Sequence, residues 1–203
     1  MTDQITWALR ARAPWGATAS PPDGIPGVAE TPAEYVVGRP KVYVETTVPS
    51  YLTARLSRDP LIATRQRITR EWWDLCRWQF DVYWSKEVER EIKRGDREAA
   101  RLRREALAPF TRLQVDKKAL TLAGILMESC RLPRQARSDA RHLAIAATRG
   151  LDVLLTWNCA HLANRALIPR MMDICISKGY HCPRILTPEQ IMGVRMHEQP
   201  ANR

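Results

Sequence analysis

A chain of 203 residues, 45% of them hydrophobic and with a formal net charge of +10, is long enough for one domain with a proper core plus some excess. No apolar run approaches the roughly 18 residues needed to cross a bilayer, and the N-terminus lacks the uninterrupted apolar stretch of a secretory signal, so a cytoplasmic protein with no membrane partner is expected. Five cysteines with no C-x-x-C spacing argue against a disulfide framework and against a zinc site.

Residues 1–40 hold six of the 14 prolines and four of the nine glycines, and SPPDGIPG cannot sustain a helix or a central strand. This segment is read as a flexible extension. It carries three basic residues (Arg10, Arg12, Arg39) against four acidic ones, so the positive charge belongs to the rest of the chain. Such a charge fits a polyanionic partner, nucleic acid before others, although solvated helical arginines are the plainer alternative.

Beyond residue 40 strands and helices alternate. Lys41–Val44 reads as a strand, Pro49–Arg58 as a short helix or turn, and Leu61–Gln79 as a helix with apolar residues at about 3.6-residue spacing. Phe80–Trp84 is a second strand, and Ser85 caps a helix that Gly95 ends. Asp96 caps a helix to about Leu107, Thr111–Val115 is a third strand, and Asp116 caps a helix to about Cys130. Pro133 breaks the chain before a helix from Ser138 to Arg149, closed by Gly150. Asp152–Trp157 gives a fourth strand, His161–Lys178 a helix, Arg184–Leu186 a short fifth strand, and Thr187-Pro188-Glu189 a final helical turn. The alternation implies βαβ crossovers and a largely parallel sheet with helices on both faces. Residues 193–203 read as a disordered tail.

Four polar residues stand at the edges of apolar segments, where strand ends of a parallel sheet converge. Glu45 follows Val42-Tyr43-Val44, with Thr46, Thr47 and Ser50 close behind. Glu91 competes with Glu87 and Glu89 on one helix. With Val88 at the centre of the apolar face, Glu91 lies about 60° away and the other two about 100°, against the alternative that all three are solvated and Glu89 pairs with Lys93. Asp139 opens a helix whose small-residue stripe (Ala140, Leu143, Ala144, Ala147) implies close packing on the sheet, although simple capping also explains a carboxylate there. Asn158 ends Leu154-Leu155-Thr156-Trp157 as a turn residue or a neutral oxygen donor. Three carboxylates brought together repel one another unless a cation holds them, and hard oxygen donors suit Mg²⁺ or Mn²⁺. Thr46, Thr156 and His142 are candidates for orienting the ligands, and Arg137 and Arg141 for holding substrate phosphates. The chain has no glycine loop of the dinucleotide or P-loop type and no Gly-x-Ser-x-Gly elbow.

The segments VYVETTVPSYL, SKEVEREIKRGD, SDARHLAIAATRGLDVLLTWNCAHLAN and RILTPEQIM, in this order over residues 41–192, resemble a PIN domain of the VapC-like toxin branch. The resemblance implies a PIN-like (flavodoxin-like) three-layer α/β/α sandwich with a mostly parallel sheet of four to five strands. It also implies a Mg²⁺- or Mn²⁺-dependent endoribonuclease, the toxin of a type II toxin–antitoxin pair, leaving 5′-phosphate and 3′-hydroxyl ends. Its site residues fall on Glu45, Glu91, Asp139 and Asn158, both as catalytic residues and as metal ligands. RNA, a cognate antitoxin protein and a second copy in a homodimer are the implied partners. Glu45 in place of the usual Asp, and Asn158 where many relatives carry Asp, leave open a catalytically weakened RNA-binding module, and a DNA-directed nuclease is the further alternative. Trp72, Trp73 and Trp78 are candidates for either a dimer interface or the core.

Overall fold

The structure, a computed structural model, describes residues 38–196, with side chains to Gly193. The expected extension over 1–40 lies outside the described residues but for its last three. Five strands, β1 (Lys41–Val44), β2 (Asp81–Ser85), β3 (Thr111–Leu113), β4 (Val153–Leu155) and β5 (Arg184–Leu186), form one sheet in the order β3-β2-β1-β4-β5. Every pairing is parallel. Eight α-helices flank it: α1 (Thr47–Thr53), α2 (Pro60–Glu71), α3 (Lys86–Ile92), α4 (Arg97–Leu107), α5 (Lys117–Ser129), α6 (Arg137–Thr148), α7 (Ile168–Ser177) and α8 (Pro188–Met196). The result is a three-layer α/β/α sandwich of flavodoxin-like type.

Burial follows strand position. The central strand β1 has Val42, Tyr43 and Val44 fully buried, and β4 is buried throughout. The edge strand β3 exposes Thr111 and Arg112, as expected where one side of a strand has no neighbour. The stripe Ala140, Leu143, Ala144 and Ala147 is buried, so α6 approaches its neighbours closely and packs along α5 and against β4.

Local chemistry accounts for most boundaries. Ser85, Asp96 and Asp116 each accept backbone N–H groups at the start of α3, α4 and α5, satisfying donors that a helix leaves unpaired. Gly95, Gly150 and Gly179 take positive φ after α3, α6 and α7.

Three expectations need correction. The helix expected over Leu61–Gln79 is α-helical only to Glu71; Trp72–Cys76 is a π-helical turn, closed by the Arg77 N–H on the Trp72 carbonyl, and Arg77–Gln79 is a 3-10 turn. The helix expected from His161 begins at Ile168. Before it the side chain of Asn158 accepts the His161 N–H and that of Asn164 the Ala166 N–H, holding the chain in turns, and Pro169 marks the first helical turn. The final helix is longer than one turn and reaches Met196, so the first residues of the expected tail 193–203 are helical and the remainder lie outside the described residues. Of the tryptophans, Trp72 and Trp73 are core and Trp78 is exposed.

Candidate metal centre at the carboxyl edge of the sheet

Glu45 leaves the core strand β1 at its carboxyl end, its N–H bonded to the Leu155 carbonyl of β4 at 3.1 Å. Its side chain is buried and oriented by donors. Oε2 accepts the Thr47 N–H (3.0 Å), the Thr47 hydroxyl (2.5 Å) and the Thr156 hydroxyl (2.8 Å), while Oε1 has no hydrogen bond among the described residues. Register explains the Thr156 contact: Val44 pairs with Leu155, so the next residues, Glu45 and Thr156, leave the sheet side by side.

Glu91 comes from the last turn of α3. Its Oε2 accepts the Thr46 hydroxyl and lies 3.0 Å from Nε2 of His142, a fully buried ring on α6. Burial pushes the Glu91 carboxyl up, but hydrogen bonds from His142, Thr46 and Ser138 and the charge of His142 prevail and hold it at about 2. On the other side of the ring, Nδ1 of His142 is 2.8 Å from the Tyr43 hydroxyl, itself 2.6 Å from Oγ of Ser85. Burial opposes protonation of His142, yet the hydrogen bond to Glu91 and the surrounding carboxylates raise its pKa.

Asp139, in the first turn of α6, is buried and bonds through Oδ2 to Nδ1 of His161 at 2.9 Å. Burial and then the charge of Glu45 raise its pKa, against the lowering effects of His142, His161 and Asn158. This is the repulsion expected of carboxylates sharing a site. Asn158 serves as a turn residue. Its N–H donates to the Thr156 hydroxyl at 2.9 Å and its Oδ1 receives the His161 N–H at 3.2 Å, which places His161 beside Asp139.

These four residues line one open cavity of about 510 Å³, together with Thr46, Thr47, Ser50, Tyr51, Arg94, Ser138 and His161. Ligand atoms of Glu45 and Glu91, and of His142 buried behind the cavity wall, lie within 4.8 Å of one another. Carboxylate oxygens at this spacing, with mutual repulsion for a cation to relieve, are a set of groups that could hold a metal ion.

Two sequence expectations are revised here. Glu91 is not the most buried glutamate of α3, because Glu87 is. One helical turn apart, the two share the flank facing α6, where Glu87 pairs with Arg90 and Arg141. Glu89 is on the opposite flank with Lys93 (3.1 Å) and Arg112; distance from the apolar centre does not distinguish the flanks. Nor do Arg137 and Arg141 line the cavity. Arg141 is committed to Glu87, its Nη1 3.4 Å from both oxygens, and the lining guanidinium is Arg94, which has no carboxylate partner among the described residues. His161 opens the helix expected over His161–Lys178, and the one sequence signal of its place in the site is Asn158 three residues earlier, able to cap its N–H.

Fold and cavity define the class: a parallel α/β/α domain with an acidic, oxygen-rich cavity where its strands end. No protein-family model matches the chain, and no curated protein matches it.

Proposed function

We propose that this chain is a divalent-metal-dependent endoribonuclease of the PIN-domain type, acting as the toxin of a type II toxin–antitoxin pair. The observation that carries the proposal is the convergence of Glu45, Glu91, Asp139 and Asn158, distant in sequence, on one cavity at the carboxyl edge of the sheet. The motif order in the sequence supports the family, and the charge of +10 supports a polyanionic substrate. Among the described residues no helix is long and apolar enough to cross a membrane.

A bound Mg²⁺ or Mn²⁺ would supply Lewis acidity toward a phosphodiester oxygen and make water a better nucleophile at neutral pH. Glu45, Glu91 and Asp139 are the residues to hold it. Thr47 and Thr156 fix the Glu45 carboxylate, and Thr46 and His142 fix that of Glu91. Asn158 sets the turn that brings His161 onto Asp139. Arg94 at the rim offers a guanidinium to a flanking phosphate.

The test is cleavage of single-stranded RNA by purified protein with Mg²⁺ or Mn²⁺, abolished by chelation. Asp139→Asn should lose at least about 100-fold in rate, beyond the usual cost of disturbing a ligand's supporting residues, with its urea midpoint little changed. Equal activity in that variant would sink the site. Growth inhibition relieved by the product of the adjacent reading frame tests the toxin assignment. Sedimentation tests the homodimer, for which exposed Leu75 and Trp78 offer apolar surface.

A further inference from the structure

With the His142 ring neutral, the hydrogen bonds behind Glu91 have only one arrangement in which every hydroxyl and ring nitrogen is used. Ser85 Oγ accepts the N–H groups of Glu87 (3.1 Å) and Val88 (3.4 Å) as the cap of α3. A hydroxyl has two lone pairs and one hydrogen. With both lone pairs taken, Ser85 can meet Tyr43 only as donor, across 2.6 Å. The Tyr43 hydroxyl then spends its own hydrogen on its other neighbour, Nδ1 of His142 at 2.8 Å. That makes Nδ1 an acceptor and leaves the ring proton on Nε2, which faces Oε2 of Glu91 at 3.0 Å. An ionised carboxylate only accepts, so the last link agrees with the first.

We infer that Ser85 and Tyr43 fix His142 as the Nε2–H tautomer, making it the donor that positions Glu91 and not a metal ligand. A nitrogen that carries a proton has no lone pair to offer a cation. The grouping of Glu45, Glu91 and His142 by distance alone therefore overstates the ligand set, and Tyr43 becomes a positioning residue for the site. Every member of the chain is inaccessible: Tyr43 and His142 are fully buried, as is Ser85, so no water competes for these bonds. Ser85 also acts twice on one carboxylate. It caps the helix that carries Glu91 and starts the chain that orients the Glu91 side chain. The positioning role rests on the metal-site reading above; the tautomer does not.

The test is the ¹⁵N spectrum of the His142 imidazole at pH 8, in the full chain, before and after Mg²⁺. The wild-type ring should carry its proton on Nε2 alone and keep it when Mg²⁺ is added. Tyr43→Phe should lose that preference and bind Mn²⁺ about 10- to 100-fold more weakly, the usual cost of removing a group behind a metal ligand. A proton on Nδ1 of the wild-type ring overturns the inference, and this measurement decides even if Tyr43→Phe does not fold. Loss of the Nε2 proton on adding Mg²⁺ makes His142 a ligand and also overturns it. So does a folded Tyr43→Phe with the wild-type tautomer and Mn²⁺ affinity. If the wild type binds neither cation, the metal-nuclease reading fails and the tautomer result stands alone.

Discussion

Glu87 and Glu91 lie one turn apart on α3, and their partners divide them. Glu87 is balanced by Arg90 and Arg141, whereas Glu91 takes its bonds from Thr46 and His142 and faces the cavity. Glu91 is held at about 2, down from 4.5, so its contribution to folding stability is present above about pH 4.5 and fades as pH falls toward 2. Urea melts should show the stability gap between wild type and Glu91→Gln closing over that window. A second residue-scale test lies behind the site. The indole N–H of Trp157 donates to the Thr69 hydroxyl at 2.8 Å, in the buried interior. Thr69→Val keeps the volume but strands that donor, which should cost about 1–3 kcal/mol without changing Mn²⁺ affinity. Glu45, Asp139 and Asn158 were legible in the sequence because each ends or opens an element. His161 and Arg94 were not, because each reaches the cavity through a turn whose path depends on side-chain bonds or on packing between helices.

Among the elements, the helix caps and the strands β1 and β5 are the most legible in the sequence. By contrast, β3 stops at Leu113 and β4 spans only Val153–Leu155, short of the expected Val115 and Trp157. β1 and β5 have the boundaries that their apolar runs suggest, and Ser85, Asp96 and Asp116 cap as their residue types require. The failures lie where tertiary bonds override a local pattern: the π-helical turn after α2 and the turns before α7. Two substitutions test the local account. Asp96→Ala removes an exposed cap bond to the Ala99 N–H (2.8 Å) and should cost about 1 kcal/mol in a urea melt. Gly150 ends α6 with φ +61 and open space around it. Gly150→Ala therefore meets no clash, and its cost of about 1–2 kcal/mol comes from the left-handed backbone alone.

Over the whole molecule, the strand order β3-β2-β1-β4-β5 gathers Glu45, Glu91, Asp139 and Asn158 at one edge. If a cation binds there and not to the unfolded chain, Mn²⁺ at 100 times its dissociation constant should add about 2.7 kcal/mol of stability, read as a raised thermal midpoint that Asp139→Asn forfeits. If RNA is the substrate, the net charge of +10 should make its affinity fall with salt, and Arg94→Ala should reduce the slope of log affinity against log salt by about 0.7, one phosphate contact on a single strand. The strand order has a temporal consequence as well. β1 and β4 are neighbours in the sheet but far apart along the chain, and the ribosome delivers them in that order. Glu45 and Glu91 emerge early with Thr47 and Thr46 beside them, but only when β4 inserts beside β1 does Thr156 reach Glu45 and Asn158 the rim. On the proposed reading, a growing chain therefore lacks a complete site until β4 has been translated.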